Sequence, residues 1–160
     1  MESGSYICFR KTKTIQIMKK ILTIAAAFFF FAAIMAADSK PIDVNSLPDA
    51  ARTFLNENFP GEQILYASKD NDLIMPDYNV ALANGVFIEF YSNGALEKIE
   101  SETGVSVDLI PIQIVEFAKV RYPDAYFVEY SVERHHYEVK LSNRLELKFN
   151  RNYNLIKIDD

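Results

Sequence analysis

Tyr78–Ile99 reads YNVALANGVFIEFYSNGALEKI, and Tyr137–Ile158 reads YEVKLSNRLELKFNRNYNLIKI. Aligned at an offset of 59, the two stretches share Tyr78/Tyr137, Val80/Val139, Leu82/Leu141, Asn84/Asn143 and Phe90/Phe149. They also share Asn93/Asn152, Leu96/Leu155, Lys98/Lys157 and Ile99/Ile158. Chance would match roughly one position in twenty, so an internal duplication is the economical reading. Within each stretch, apolar residues alternate with polar or small ones, the period of a half-buried antiparallel strand. Asn84-Gly85 and Asn93-Gly94 supply two-residue turns, because Asn and Gly accept positive φ. Arg144 and Tyr153 replace these glycines in the second stretch, and a bulky side chain at positive φ costs on the order of 1 kcal/mol.

Upstream of each meander lies a helix-and-strand pattern, matched at an offset of 63. Ser46 reads as an N-cap with Asp49 three residues on, and Leu47, Ala51, Phe54 and Leu55 form an apolar stripe up to Asn58. In the second copy Asp108 is the expected cap, and Ile110, Ile114, Phe117 and Ala118 form the buried stripe. Phe59-Pro60 and Tyr122-Pro123 end the helices, because a residue preceding proline is pushed out of the helical region. First strands follow at Gln63–Lys69 and Tyr126–Glu133. The expected fold is therefore α+β: two tandem units, residues 38–103 and 104–160, each a helix and about four antiparallel strands, with helices on one face of the sheet. Pro41–Asn45 reads as a short lead.

Residues 1–37 stand apart. Lys19 and Lys20 precede the apolar run ILTIAAAFFFFAAIMAA, and polar Asp38-Ser39-Lys40 follows, the layout of a cleaved secretory signal peptide with its cut after Ala36 or Ala37. The run is short for a spanning helix, so no stable membrane insertion is expected after cleavage. Two readings of residues 1–17 stand: they precede a true start at Met18, which is preferred, or they form a long basic n-region. Cys8 is the only cysteine among 160 residues and lies ahead of the apolar run. The exported part would hold no disulfide and no lipoprotein cysteine, and would be periplasmic or secreted. Residues 1–37 hold five of the 17 basic and one of the 22 acidic residues, so the remainder carries a net charge of −9. That charge disfavours nucleic acid and anionic lipid as partners.

The quoted motifs, with LPDAARTFLNENFPGEQI and IPIQIVEFAKVRYPDAYF, resemble the PepSY-like family of exported proteins, found largely in Bacteroides-type bacteria. The resemblance spans about Asp43 to Asp160 and implies a fold related to the β-lactamase-inhibitor-protein architecture. It implies a binding or inhibitory role, often towards peptidases, with no catalytic residues to carry over. The chain departs from the pattern at Arg144, where glycine is usual, and in having no tryptophan after Gly94.

Chemistry-bearing constellations are sparse. No G-x-S-x-G motif is present, and both histidines, His135 and His136, fall in one place, where solvated turn residues are expected. The chain is not expected to be an enzyme or to need a cofactor. Asp70, Asp72 and Asp77 in KDNDLIMPDY could offer oxygens to calcium, although the EF-hand glycine and terminal glutamate are missing. A calcium-responsive structural or sensor protein is thus the alternative function.

The clearer signal is a difference between the copies. If Tyr78, Val80, Leu82, Ile88 and Phe90 face the helix, the open face carries Asn79, Ala81, Ala83, Phe87, Glu89 and Tyr91. The second copy has Glu138, Lys140, Ser142, Glu146, Lys148 and Asn150 there, a solvated charged face. Asn79, Phe87, Glu89 and Tyr91 are therefore the candidate binding residues, for a protein or peptide of the cell envelope. The competing explanation is that a second sheet or another copy of the chain covers these aromatics.

Overall fold

The structure is a computed structural model in which residues 39–70 and 76–160 are described. Residues 1–38, with Cys8, Met18 and the expected signal segment, and Asp72 lie outside the described residues. Among the described residues nine strands form one sheet in sequential order: β1 (Ser39–Pro41), β2 (Ile64–Asp70), β3 (Tyr78–Leu82), β4 (Phe87–Phe90), β5 (Leu96–Glu100), β6 (Phe127–Val132), β7 (His136–Leu141), β8 (Glu146–Asn150) and β9 (Leu155–Asp159). Every neighbouring pair is antiparallel. Among the described residues two α-helices of ten residues, α1 (Asp49–Asn58) and α2 (Ile112–Arg121), precede β2 and β6. The fold is α+β, as expected. The lead at Pro41–Asn45 needs correction, because Ser39–Pro41 pairs with Ser68–Asp70 as an edge strand.

Cross-strand partners point to the same face, and so a row can be followed through the register. Ala67, Val80, Ile88, Ile99, Tyr130, Val139, Leu147 and Ile158 form one such row from β2 to β9. All but the last are buried, in a single cluster with Ala51 and Leu55 of α1 and Ile114, Val115 and Ala118 of α2. Phe54 meets Phe90 edge-on at 5.6 Å, and Phe117 meets Phe149 edge-on at 5.3 Å. Such pairs add about 1 kcal/mol each beyond their buried area. They dock both helices on the same face of the sheet.

The caps differ from the sequence expectation. Ser46 does not cap α1: the Asp43 side chain accepts the Asn45 N–H at 2.8 Å and opens a 3-10 turn over Val44–Ser46, and Pro48 stands at the helix N-cap with no side-chain bond. Asp108 likewise lies inside the turn Val107–Leu109, which Ser106 caps, and Pro111 takes the N-cap of α2. The reason is local. A short oxygen-bearing side chain two residues before its amide partner closes a tight turn first, and proline, which needs no amide partner, then starts the helix.

Both pairs of hairpin turns share one backbone shape. Gly85 and Gly94 have φ of 83° and 81°, while Arg144 and Tyr153 hold φ of 75° and 61°. Tyr153 gains something in exchange, stacking at 5.3 Å on Tyr137, over which the Arg151 guanidinium lies at 4.7 Å. No such contact is described for Arg144. A Cβ on Gly94 would come within 2.8 Å of Pro48 Cβ and 2.9 Å of the Ala51 nitrogen, whereas Gly85 has open space around it. We expect Arg144→Gly to raise unfolding free energy by about 1 kcal/mol, and Gly94→Ala to lower it by roughly 2 kcal/mol through clash and strain together. Urea titration of both variants measures this. Equal effects would show that the turn backbone and the helix contact carry no cost.

Candidate binding face

The face away from the helices is built by the complementary alternation. One row on it runs Ser68, Asn79, Glu89, Lys98, Ser131, Glu138, Lys148 and Lys157. The adjacent row runs Tyr66, Ala81, Phe87, Glu100, Glu129, Lys140, Glu146 and Asp159. Asn79, Phe87 and Glu89 thus lie on the face predicted for them, and Tyr91 follows directly after β4. They do not form one patch. Phe87 and Tyr91 are four residues apart along an extended chain, about 13 Å, with Glu89 between them bound to Lys98 at 2.7 Å.

On the β6–β9 side the face is a ladder of satisfied charges. Lys140 donates to Glu129 at 2.9 Å, and Lys148 donates to Glu138 at 2.8 Å and contacts Glu146 at 3.0 Å. Burial alone would raise the Glu138 carboxyl, but hydrogen bonds from Lys148 and His136 outweigh it and hold the carboxyl below its usual range. Lys148 is held above its usual range by its bonds to Glu138 and Glu146. His136 is a strand residue, not the solvated turn residue expected, and its Nε2 sits 2.5 Å from Glu138 Oε1; His135 is exposed in the turn.

On the β2–β4 side the matching positions are Tyr66, Ala81 and Phe87, an apolar row where the other side has Glu129, Lys140 and Glu146. Ala81 is only 7% exposed, although it points away from the helices and lies outside the main core cluster. Half-buried Tyr66 and Phe87 are its neighbours in the row. Tyr66 was missed by the sequence because β2 is irregular between Ile64 and Tyr66, which breaks simple alternation.

Tyr91 belongs to a third environment. Its hydroxyl donates to the Val132 carbonyl at 2.8 Å, tying the end of β4 to the end of β6. Burial raises its pKa first, and the charges of Glu97, Glu133 and Asp77 raise it further. Glu97 sits where the β4–β5 register slips, between Leu96 and Lys98. Its Oε2 is buried and, among the described residues, makes no hydrogen bond. Burial, followed by the charges of Asp77, Glu89 and Glu133, pushes its carboxyl from the usual 4.5 to about 7. The irregular register hid this residue too.

Of the calcium candidates, Asp70 and Asp77 are brought together by the Asp70 N–H donating to the Asp77 carbonyl at 2.9 Å. Among the described residues no group of three or more acidic, histidine or cysteine side chains is placed to hold a metal ion. A groove of about 210 Å³ between Phe59, Val86 and the Thr103–Leu109 connection has no titratable side chain in its lining. Among the described residues no helix is long and apolar enough to cross a membrane.

A raised carboxylic acid binds its proton more tightly folded than unfolded. Stability therefore falls as pH rises from the unfolded value near 4.5 through about 7. Glu97→Gln should raise the melting temperature at about pH 8 and leave it nearly unchanged at about pH 5. A variant equally shifted at both values would mean that ionisation of Glu97 carries no penalty.

A family model described as "Putative beta-lactamase-inhibitor-like, PepSY-like" matches residues 34–98 and 76–157. None of the curated proteins matches the chain. A crystal structure of a Bacteroides vulgatus protein described as a "putative periplasmic protein" is 36% identical, covers 78% of this chain and 99% of its own, and superposes with a TM-score of 0.72. A protein from Bacteroides thetaiotaomicron, described as a "putative calcium-regulated periplasmic protein", is 36% identical over 77% of this chain and 98% of its own, with a TM-score of 0.73. A second Bacteroides vulgatus protein, described as a "putative periplasmic protein of unknown function", is 31% identical over 76% of this chain and 99% of its own, with a TM-score of 0.71.

Proposed function

The chain belongs to the PepSY-like, β-lactamase-inhibitor-like family, and from that premise we propose that it is an exported, non-catalytic binding module of the bacterial periplasm. Export would use residues 1–37 as a cleaved signal, a reading supported by the periplasmic descriptions of the similar solved structures. Residues 38–103 and 104–160 would be two copies of one unit. Supporting this, the capped 3-10 turns, the N-cap prolines, the edge-on phenylalanine pairs and the register slips recur at matching positions.

The observation that carries the binding reading is the Tyr66–Ala81–Phe87 row. It is an apolar strip on a face whose β6–β9 side is dominated by paired charges, and burying such a strip against a partner gains roughly 25 cal/mol per Å². Asn79 and Glu89 would form its polar rim, while Tyr91, whose hydroxyl is bound to the Val132 carbonyl, stands apart from it. The partner would be a protein or peptide of the envelope, and inhibition of a peptidase is the form suggested by the family. A photo-crosslinking residue at Phe87 should give a discrete adduct in cells, and the same residue at Glu146 should give none. Adducts of equal yield from both positions would place binding elsewhere.

A second reading is supported by the crowding of Asp77, Glu89 and Glu133 around Glu97, with one similar protein described as calcium-regulated. Calcium held by Asp70, Asp72 and Asp77 would offset the Asp77 charge that acts on Glu97 and make this a calcium-responsive module. Millimolar calcium should then release heat in calorimetry and raise the melting temperature, less so in Asp77→Asn. Absence of both effects would end this reading.

A further inference from the structure

The two edges of the sheet are unlike. At one edge β1 is three residues long and ends in Pro41, which has no N–H to offer another strand. At the other, β9 is five residues long, and among the described residues it pairs only with β8. Ile156 and Ile158 on it are 60% and 40% exposed. Ile158 is the last member of the core-facing row that includes Ile99, yet Ile99 is 1% exposed. The difference has a visible cause: β6 pairs with β5 and sets Tyr130 opposite Ile99, while no described strand does this for Ile158. The β5–β6 junction therefore shows what the outer side of β9 accepts, an antiparallel strand with an apolar residue opposite the isoleucine.

We propose that this strand is β9 of a second copy of the chain, paired antiparallel about a two-fold axis at Ile158. That register sets Ile158 opposite Ile158 of the second copy, which carries the row from Val139 and Leu147 into the other sheet. It also sets Lys157 opposite Asp159 of the second copy, and Asp159 opposite Lys157 of the second copy. Both residues lie on the helix-free face, where they already pair within one strand at 2.7 Å. Shifting the axis by one residue to Lys157 would put two ammonium groups face to face. The strand is thus complementary to itself in one register and repelled in the next, which selects a closed dimer over an open chain of copies.

Sedimentation equilibrium of the purified protein, up to millimolar concentration, tests this. The wild type should self-associate as a dimer, and Ile158→Lys should be monomeric. Lys157→Asp, at an exposed position, and Asp159→Lys, at a half-buried one, both checked for folding by circular dichroism, should each weaken the homodimer about tenfold, because attractive cross-strand pairs become repulsive. An equimolar mixture of these two variants should associate again as a heterodimer. Neither variant retains the pair within its own strand, so only contact between copies can restore it. A wild type that stays monomeric overturns the proposal. So does a dimer that neither charge variant weakens, or a mixture that associates no better than its components.

Discussion

The antiparallel pairing of β5 with β6 is the constraint on which the rest of the molecule depends. It aligns Ile99 with Tyr130 and Lys98 with Ser131, so that both faces run through the middle of the sheet without a break. On one face the result is a single apolar row that lets α1 and α2 share one core. A unit of some 60 residues buries a smaller fraction of its surface than one twice as long, and a shared core relieves that deficit. Ser131 is 4% exposed at the junction, as is Ser101 just beyond β5. Ser101 donates its N–H to the Val128 carbonyl at 2.9 Å, and the connection beyond β5 is thereby tied to β6.

The same junction makes the helix-free face one surface with two characters. Across β6–β9 most of its positions are paired charges, and hydrogen bonds hold Glu138 below its usual range and Lys140 and Lys148 above theirs. Pairs that water still reaches contribute little net stability, but they leave no apolar strip for a partner. Across β2–β4 the charges give way to Tyr66, Ala81 and Phe87. At the rim, Glu97 stands among Asp77, Glu89 and Glu133 with its carboxyl raised by burial. A group held against its ionisation preference is characteristic of functional sites, as of structural acid clusters. The two signals, apolar and acidic, both fall on the half whose turns carry the glycines.

Much of this was legible in the sequence. Period-two alternation placed Val80, Ile88, Phe90 and their counterparts in the core, and the opposite parity placed Asn79, Phe87 and Glu89 on the open face, because a regular strand admits only two orientations. Proline after Phe59 and Tyr122 marked the helix ends, where both residues have φ of −134°. The failures share a cause in local geometry that composition does not encode. Ser46 and Asp108 fit an N-cap pattern but fall inside 3-10 turns that Asp43 and Ser106 close first. Periodicity does not single out Val115 for the buried stripe, because α2 is apolar on more than one side: Ile112 is 60% and Val120 83% exposed. Tyr66 and Glu97 escaped because each lies at a register slip, where parity along the strand is lost. The grouping of Phe87 with Tyr91 followed from shared parity. Their separation needs the third dimension, in which the Tyr91 hydroxyl is taken by Val132.

The dependence of both halves on the β5–β6 junction is tested most directly by calorimetric unfolding of the protein. One shared core and one continuous sheet predict a single transition whose calorimetric enthalpy equals its van't Hoff enthalpy. Two resolved transitions, or a calorimetric enthalpy near twice the van't Hoff value, would show that the halves fold and melt independently and would contradict the account.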